Sequence, residues 1–521
     1  MRRGATDSEP AAERRGRWRR WAAAACLVVL FAFPVHVFPC GTQASHYALV
    51  RGFAHGTARI DEAQWFTCDK AWFEGHSYSV KAPALAAMAL PAYLLLDRTG
   101  RVPADQTWAV WLLALTTVVP LALLLVWLVG RVAAEIAPDY VLFTQIAVGV
   151  GTLVLPFGSL WFGHVPAATL AFAAYVLIRP SVEKVTVRRA VGAGLLAGGA
   201  VLFEYPTAVI AVLLVVYLAL TRGLRPAAWM CLGGSVPAVL LLLYNQWAFG
   251  SITHFSYEDA VSETGVTGHD VLGANDHGFF GIGRPRAHAL VDILASPRGL
   301  LVVTPICVLG LMGIALRYRQ SRGEGALLGS VTVLFVAYNA GYTLNIGGPF
   351  GGDAPGPRFL VAAIPFLMVP VGLAAARWPG AAIALLLISG ATMLVATGTQ
   401  PLVNEGFTDV WLKRLQAGDF VKTPLTLLTD GHGWGEILPF ALAGVVLLGI
   451  ALEQPARDVM RAPSRAALEA GAVLLAWLVV YSVAHAVYSD NVSSPRPASR
   501  QQSYANPRNA ASTNPGNVSR L

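Results

Sequence analysis

Residues 61–83 read DEAQWFTCDKAWFEGHSYSVKAP. They bring Asp61, Glu62, Asp69, Glu74, His76 and Lys81 together among aromatic residues, between two apolar segments. Only 13% of the 521 residues are charged and 55% are hydrophobic, whereas soluble domains carry roughly a quarter charged residues. The composition therefore predicts an all-α polytopic membrane protein. A charge cluster beside a membrane-grade run is the leading candidate for chemistry in such a chain.

The net charge of +8 does not signal nucleic acid, because the basic residues recur in short runs between apolar segments. That is the distribution of topology determinants. Apolar runs long enough to cross or nearly cross about 30 Å of hydrocarbon fall near 21–39, 107–130, 141–157, 165–178, 190–203, 206–220 and 227–247. Others lie near 299–316, 325–344, 359–376, 380–397, 436–453 and 467–487, giving about thirteen expected spans. If the Arg-rich residues 1–20 form a cytoplasmic tail and 21–39 an uncleaved signal anchor, every short inside loop is basic. These loops hold Arg131; Arg179, Lys184, Arg188 and Arg189; Arg222 and Arg225; Arg317, Arg319 and Arg322; Arg377; and Arg457, Arg461 and Arg465. The Lys/Arg bias thus orients the chain as a multi-pass plasma-membrane protein with residues 21–487 as its transmembrane domain. Segments 40–106, 248–298, 345–358 and 398–435 are then extracytoplasmic. Residues 84–97 are too short to span, and read as an amphipathic or re-entrant surface helix broken by Pro91. Residues 488–521, rich in Ser, Asn and Pro, read as a disordered tail.

Cys26, Cys231 and Cys307 lie inside apolar runs, whereas Cys40 and Cys68 share the outer side, where a disulfide is permitted. Within the opening cluster, a carboxylate at the membrane surface can act as general base toward a hydroxyl, and a nearby Lys or Arg can hold a phosphate. Asp69 and Lys81 provide this combination, with Asp61 as a second carboxylate. The alternative is a membrane-flanking loop whose charges and aromatic anchors carry no chemistry. Arg358 follows a Gly/Pro-rich loop, where it either binds phosphate or anchors a helix end. Glu204, between two apolar halves, is either the tip of an outer hairpin facing the site or an intramembrane carboxylate. His269, Asp270, Asp276 and His277 are metal-ligand types, but among Gly268, Gly273 and Gly278 they read first as solvated surface. Asp353 stays open. No cofactor is demanded, and a divalent metal remains compatible.

The order of basic tail, span, outer loop with a carboxylate and Tyr78-x-x-Lys81-x-Pro83, short surface helix and many further spans resembles the GT-C superfamily of membrane glycosyltransferases. That group includes the protein O-mannosyltransferases and the lipid A aminoarabinose transferase. The segment 347–352 (GGPFGG), ending in Gly356-Pro357-Arg358-Phe359, resembles the Gly-Gly…Gly-Pro-Arg-Tyr element of its bacterial members. Phe279-Phe280-Gly281 and Ser296-Pro297-Arg298-Gly299-Leu300 are similar to segments of those proteins too. The resemblance implies a GT-C-like fold and an inverting transfer of a sugar from a polyprenyl-phosphate donor to a lipid, glycan or protein acceptor. It implies that Asp69 or Asp61 is the carboxylate, and that Lys81 contacts the donor phosphate with Arg358. Tyr78, His76 and Glu204 are further expected substrate contacts. Where better-known members place Asp-Glu soon after the first span, this chain has Gly41-Thr42-Gln43-Ala44-Ser45, and Ala84 replaces the second proline. A transporter or lipid flippase predicts ionisable residues or broken helices near the midplane, and the chain shows no internal repeat. A non-catalytic scaffold predicts that Asp61, Asp69 and Lys81 are dispensable.

Overall fold

A computed structural model of the protein describes residues 11–36, 41–100, 106–261, 282–342, 348–429, 431 and 433–489. The first helix, α1 (Ala11–Ala32), exposes Trp18 and Trp21 and buries Leu27, Leu30 and Phe31. The expected run to residue 39 stops early because Pro34 follows. Proline has no amide to continue the helical ladder and pushes the residue before it to extended geometry. Val35 then pairs with Lys422 as an isolated β-bridge.

The first expected loop contains more structure than its composition announces. It holds α2 (Thr42–Ala54), strands β1 (Lys70–Phe73) and β2 (His76–Ser79), and α3 (Ala84–Arg98). The strands pair antiparallel from Lys70↔Ser79 to Phe73↔His76. Glu74 and Gly75 both take positive φ (49° and 83°) in the two-residue turn, the geometry that matches the right-handed twist of a hairpin. Helix α3 runs through Pro91 without interruption, which corrects the expected break. It lays Leu85, Ala86, Ala89 and Tyr93 inward, with Tyr93 edge-on to Tyr47 of α2.

The bundle continues with α4 (Gln106–Thr116), α5 (Val118–Ile136), α6 (Val141–Val150), α7 (Val154–Ser159), α8 (His164–Ile178), α9 (Val187–Phe203), α10 (Ala208–Arg222) and α11 (Leu224–Phe249). A short strand, β3 (Ala260–Val261), adds to the free side of β1, so the second expected loop is stitched to the first. Then come α12 (Ala287–Ala295), α13 (Leu300–Val303), α14 (Ile306–Gln320), α15 (Arg322–Gly341), α16 (Ile364–Met368), α17 (Val371–Arg377) and α18 (Pro379–Gly398). The described residues close with α19 (Leu412–Ala417), α20 (Thr426–Thr429), α21 (Trp434–Val459) and α22 (Pro463–Ser489).

Among the described residues six helices are long and apolar enough to cross a membrane, or seven if the segment bent by 92° between α13 and α14 counts as one span. The expected count of thirteen is not reached on that measure, because several expected spans are short or broken. Residues 141–157 divide into α6 and α7. Pro305 breaks 299–316 and Pro370 breaks 359–376, each by removing an amide from the ladder. Such breaks are tolerated where protein rather than lipid surrounds them, and Val303, Ile306, Met368 and Val371 are buried. The outward faces of α11, α21 and α22 instead expose Leu240, Leu243, Val445, Leu475 and Val479, as a lipid-facing wall requires. Helices α9 and α11 touch backbone to backbone. A Cβ on Gly194 would stand 1.9 Å from the Met230 carbonyl oxygen, and one on Gly233 2.1 Å from that of Val191. Small residues at helix crossings permit this approach.

The basic loops meet one another. Arg179 forks onto Glu135, and Arg222 donates to the carbonyls of Pro180, Val182 and Glu183. Arg317 pairs with the buried Glu324, which also accepts from Tyr175. Arg465 bridges Glu469 and the Arg377 carbonyl.

Candidate active site

Helix α2, the segments just outside the three-stranded sheet, the ends of α9 and α15 and the start of the 3-10 turn at Arg358–Ala362 surround one cleft. It measures about 460 Å³ including its open mouth, and Lys81, Glu204, His46, Tyr257, Tyr342 and Phe359 are among the residues lining it.

Asp69 stands beside this cleft. Its amide donates to Thr67 Oγ1 (3.0 Å), and its carbonyl accepts from Ser45 Oγ (2.6 Å). Its Oδ2 accepts from Thr42 Oγ1 at 3.3 Å and lies 2.5 Å from Lys81 Nζ. The lysine is fixed in turn: its amide donates to Ser79 Oγ, which is hydrogen-bonded to Ser45 Oγ (2.7 Å). Thus Thr42 and Ser45, just after Gly41, supply the hydroxyls that set the Asp69–Lys81 pair. The side chains are 28% and 11% exposed, so the pair is only partly screened. The Lys81 ammonium also lies over the Tyr257 ring at 6.0 Å.

Glu204 forms the opposite wall. Helix α9 ends at Phe203, Glu204 is extended (φ −149°, ψ 109°), and Pro206 opens the next turn. Its amide still donates to the Ala200 carbonyl, which leaves the carboxylate turned toward α8. There Oε1 meets His164 Nδ1 at 3.0 Å. His164, the first residue of α8, is held in an aromatic cage, stacked on Phe162 and edge-on to Phe157 and Phe359. Gly163 must be glycine for this approach, since a Cβ would stand 2.6 Å from the Phe203 carbonyl oxygen and 2.9 Å from Glu204 Oε1. Burial pushes the Glu204 carboxyl up, but His164, Lys81 and Arg358 together outweigh it and hold the group below its ordinary value.

Arg358 lies behind the same wall, 5.4 Å over Phe359 and 6.0 Å from Phe162. Its buried Nε has no hydrogen-bond partner, and the side chain makes no ion pair among the described residues. The Gly-rich loop wraps it: Gly351 and Gly352 take φ of +82° and +116°, and a Cβ on Gly351 would strike Phe359 and Arg358. Arg298 clamps that loop, donating to the carbonyls of Gly352 (3.3 Å), Ala354 (3.1 Å) and Val403 (2.8 Å) and stacking on Phe350. Asp353 turns away to Asn404.

His46, on α2, is 1% exposed, and its Nδ1 has no partner. Burial above all, and Lys81 next, lower its pKa to about 3, so the ring is neutral at physiological pH. Burial, with the charges of Asp69 and Glu204, pushes the Tyr257 hydroxyl up, keeping it a neutral donor.

Of the residues expected from sequence, Asp69, Lys81, Glu204 and Arg358 come together around this cleft. Asp61, His76 and Tyr78 do not line it. Asp61 accepts from the Ser77 amide (2.7 Å) and pairs with His76 (2.8 Å) on a half-exposed surface. Tyr78 is buried against Phe73 and Phe249 in a small core under the sheet. Cys68 is disulfide-bonded, while Cys40 lies outside the described residues. So do His269, Asp270, Asp276 and His277, the Phe279-Phe280-Gly281 segment and the tail from residue 490. Among the described residues no group of three or more His, Cys, Asp or Glu is placed to hold a metal ion. His46, His164, Tyr257, Tyr342 and Arg298 were not singled out as site residues from sequence. A histidine opening an apolar run, as in Gly163-His164-Val165-Pro166, does not by itself mark a cleft, and no local signal sets His164 apart.

The fold and this cleft define an all-α, multi-pass membrane protein with a charged cleft at one end of its bundle. No family model and no curated protein matches the chain. Among solved structures it is similar to ArnT from Cupriavidus metallidurans bound to undecaprenyl phosphate, at 15% identity and TM-score 0.48 over 87% of this chain and 79% of that one. It is also similar to the archaeal oligosaccharyltransferase AglB from Archaeoglobus fulgidus, in complex with an inhibitory peptide and a dolichol-phosphate (14%, TM-score 0.44, 85% and 56%). A third is the arabinosyltransferase EmbB from Mycobacterium smegmatis (12%, TM-score 0.43, 88% and 42%). All three are GT-C membrane glycosyltransferases, the group that the sequence resembles. At these identities and TM-scores, the chemistry of the site rests on the geometry of this chain alone.

Proposed function

We propose that the protein transfers a sugar from a polyprenyl-phosphate-linked donor to a lipid, glycan or protein acceptor at the extracytoplasmic face, with inversion at the anomeric carbon. The observation that carries this reading is the cleft itself. Two cationic side chains, Lys81 and Arg358, both act on Glu204, and Arg358 has no counter-ion of its own among the described residues. A fixed ammonium and a guanidinium with free donors suit a phosphate, the guanidinium by its fork and the ammonium as a point charge.

In this reading Lys81 and Arg358 bind the donor phosphate, and Asp69 with Thr42 holds the ammonium in place. The polyprenyl tail runs into the bilayer along the bundle, and the sugar occupies the aromatic cleft near Tyr257 and Tyr342. As the bond from the anomeric carbon to phosphate breaks, its electron pair goes to the phosphate oxygen, where the two cations stabilise the growing charge. Aromatic walls exclude water and so strengthen each of these interactions.

The test is incubation of the purified full chain with undecaprenyl-phosphate-linked hexoses and pentoses labelled in the sugar, scoring transfer and donor cleavage. Wild-type turnover that is lost in Lys81→Ala and Arg358→Ala is the expected result. Turnover unaffected by both substitutions, or solute uptake into proteoliposomes without any transfer, would overturn the reading.

A further inference from the structure

Two carboxylates flank the cleft, and their surroundings give them different capacities. Asp69 has spent its Oδ2 on Lys81 (2.5 Å) and Thr42 (3.3 Å), and it does not itself line the cleft. A carboxylate outside the cleft, with its Oδ2 occupied by an ammonium and a hydroxyl, is not placed to meet an acceptor hydroxyl. Glu204 does line the cleft. Its Oε1 is held by His164 Nδ1 at 3.0 Å, and that histidine is 5% exposed inside an aromatic cage. An imidazole locked by three aromatic rings fixes the carboxylate's direction at little entropic cost.

From this geometry we infer that Glu204 is the general base that takes the proton from the acceptor hydroxyl, and that His164 is the positioning residue that aims it. The inference rests on the transferase reading above and adds the acceptor side to it. The acceptor oxygen bonds to the anomeric carbon on the face opposite the phosphate. Its proton passes to Glu204, and the anomeric carbon–phosphate bond breaks with its electron pair on the polyprenyl phosphate. The charged and titratable groups facing Glu204 are His164 from α8, His46 from α2, Lys81 beside the sheet, Arg358 from the Gly-rich loop, and the hydroxyls of Tyr205, Tyr257 and Tyr338. His46 is neutral. Lys81 and Arg358 keep Glu204 ionised before the reaction, so it meets the acceptor as a carboxylate. His164, donating from Nδ1 to an ionised carboxylate, acts as a hydrogen-bond donor, the role an asparagine amide can copy.

The sequence offers the pair only faintly. Glu204 stands out as a lone carboxylate between two apolar halves, but its partner lies 40 positions earlier at the mouth of another helix.

The experiment uses the full-length protein with sugar-labelled undecaprenyl-phosphate donors, and undecaprenyl phosphate alone as a binding probe. Azide serves as an acceptor that carries no proton and needs no base. Glu204→Ala and the isosteric Glu204→Gln should keep undecaprenyl phosphate binding while losing transfer by about 10²–10⁴-fold. Azide should restore donor cleavage in Glu204→Ala, giving a glycosyl azide of inverted configuration, and should not restore it in Lys81→Ala. His164→Ala should lower kcat with the donor KM little changed, and His164→Asn should recover part of the loss. Transfer within about threefold of wild type in both Glu204 variants would overturn the inference. So would retained binding with no azide rescue. Either result leaves the transferase reading intact. A wild-type protein that neither binds undecaprenyl phosphate nor cleaves any donor would overturn that reading, and the role of the pair with it.

Discussion

Lys81 and Asp69 touch at 2.5 Å with the lysine only 11% exposed, and that fact separates their fate from that of Asp61 and His76. Removing one member of a poorly screened pair leaves a charge without compensation, which costs about 3–5 kcal/mol at buried sites and less at the partial exposure of Asp69. We therefore expect Lys81→Ala and Asp69→Ala each to lower the thermal midpoint. The double variant should be destabilised by clearly less than their sum, as a double-mutant cycle in thermal melts will read. Additive losses would sink the coupling. By contrast, the Asp61–His76 pair is more than a third exposed on each side, and exposed pairs contribute about 0–1 kcal/mol. Asp61→Ala should leave transfer within about threefold of wild type, as an initial-rate assay beside Asp69→Ala can show. The sequence brought forward Asp69, Lys81, Glu204 and Arg358 because charge is so scarce in this chain. It was silent on His46 and His164, since a single histidine in an apolar run reads as a core residue until a distant carboxylate is placed beside it.

At the scale of elements, the site is built from pieces that have little regular sequence period. Hairpin β1–β2 was hidden because its four-residue strands alternate weakly, and only the positive-φ pair Glu74-Gly75 marks the turn. Helix α2 was hidden for another reason. Ten of its thirteen residues are buried, so it lacks the one-sided polarity by which a surface helix is recognised. The Gly-rich loop was noticed as a motif, but its clamp was not. Arg298 reaches carbonyls at 352, 354 and 403, and no local pattern announces contacts more than fifty residues away. Hydrogen bonds from a charged donor contribute about 1.5–3 kcal/mol each. Arg298→Ala should thus destabilise the protein and free the loop that wraps Arg358. Limited proteolysis should cut faster between residues 348 and 358, and transfer should fall although Arg298 does not line the cleft. Arg298→Lys should recover little, because one ammonium cannot reproduce a planar fork stacked on Phe350. Unchanged proteolysis together with unchanged transfer would reject the clamp.

For the whole molecule, composition was decisive for class and poor for counting. Low charge and long apolar runs were enough to read an all-α multi-pass protein, whereas the thirteen expected spans include segments that the structure shows as short or proline-broken helices. Hydropathy registers burial in protein and burial in lipid alike, so a broken helix in the core scores like a crossing. What the fold adds is a consistent polarity. The basic loops at 131–135, 179–189, 222–225, 317–324 and 457–469 are linked to neighbouring loops or helix ends by ion pairs and hydrogen bonds, while the cleft gathers the ends of α9 and α15 with Lys81 and Tyr257. We propose that the basic loops face the cytoplasm, as the Lys/Arg bias predicts, so that a lipid-linked donor would meet the cleft from the other side. This can be tested with single cysteines in a background where Cys26, Cys231 and Cys307 are replaced by alanine. Glu74→Cys, on the exposed hairpin turn, should react with a membrane-impermeant maleimide in intact cells. Arg188→Cys, exposed at the start of α9, should react only after the membrane is permeabilised. The reverse pattern would put the cleft in the cytoplasm, where Lys81 and Arg358 would face nucleotide-linked rather than lipid-linked donors, and the proposed transfer would have to be abandoned.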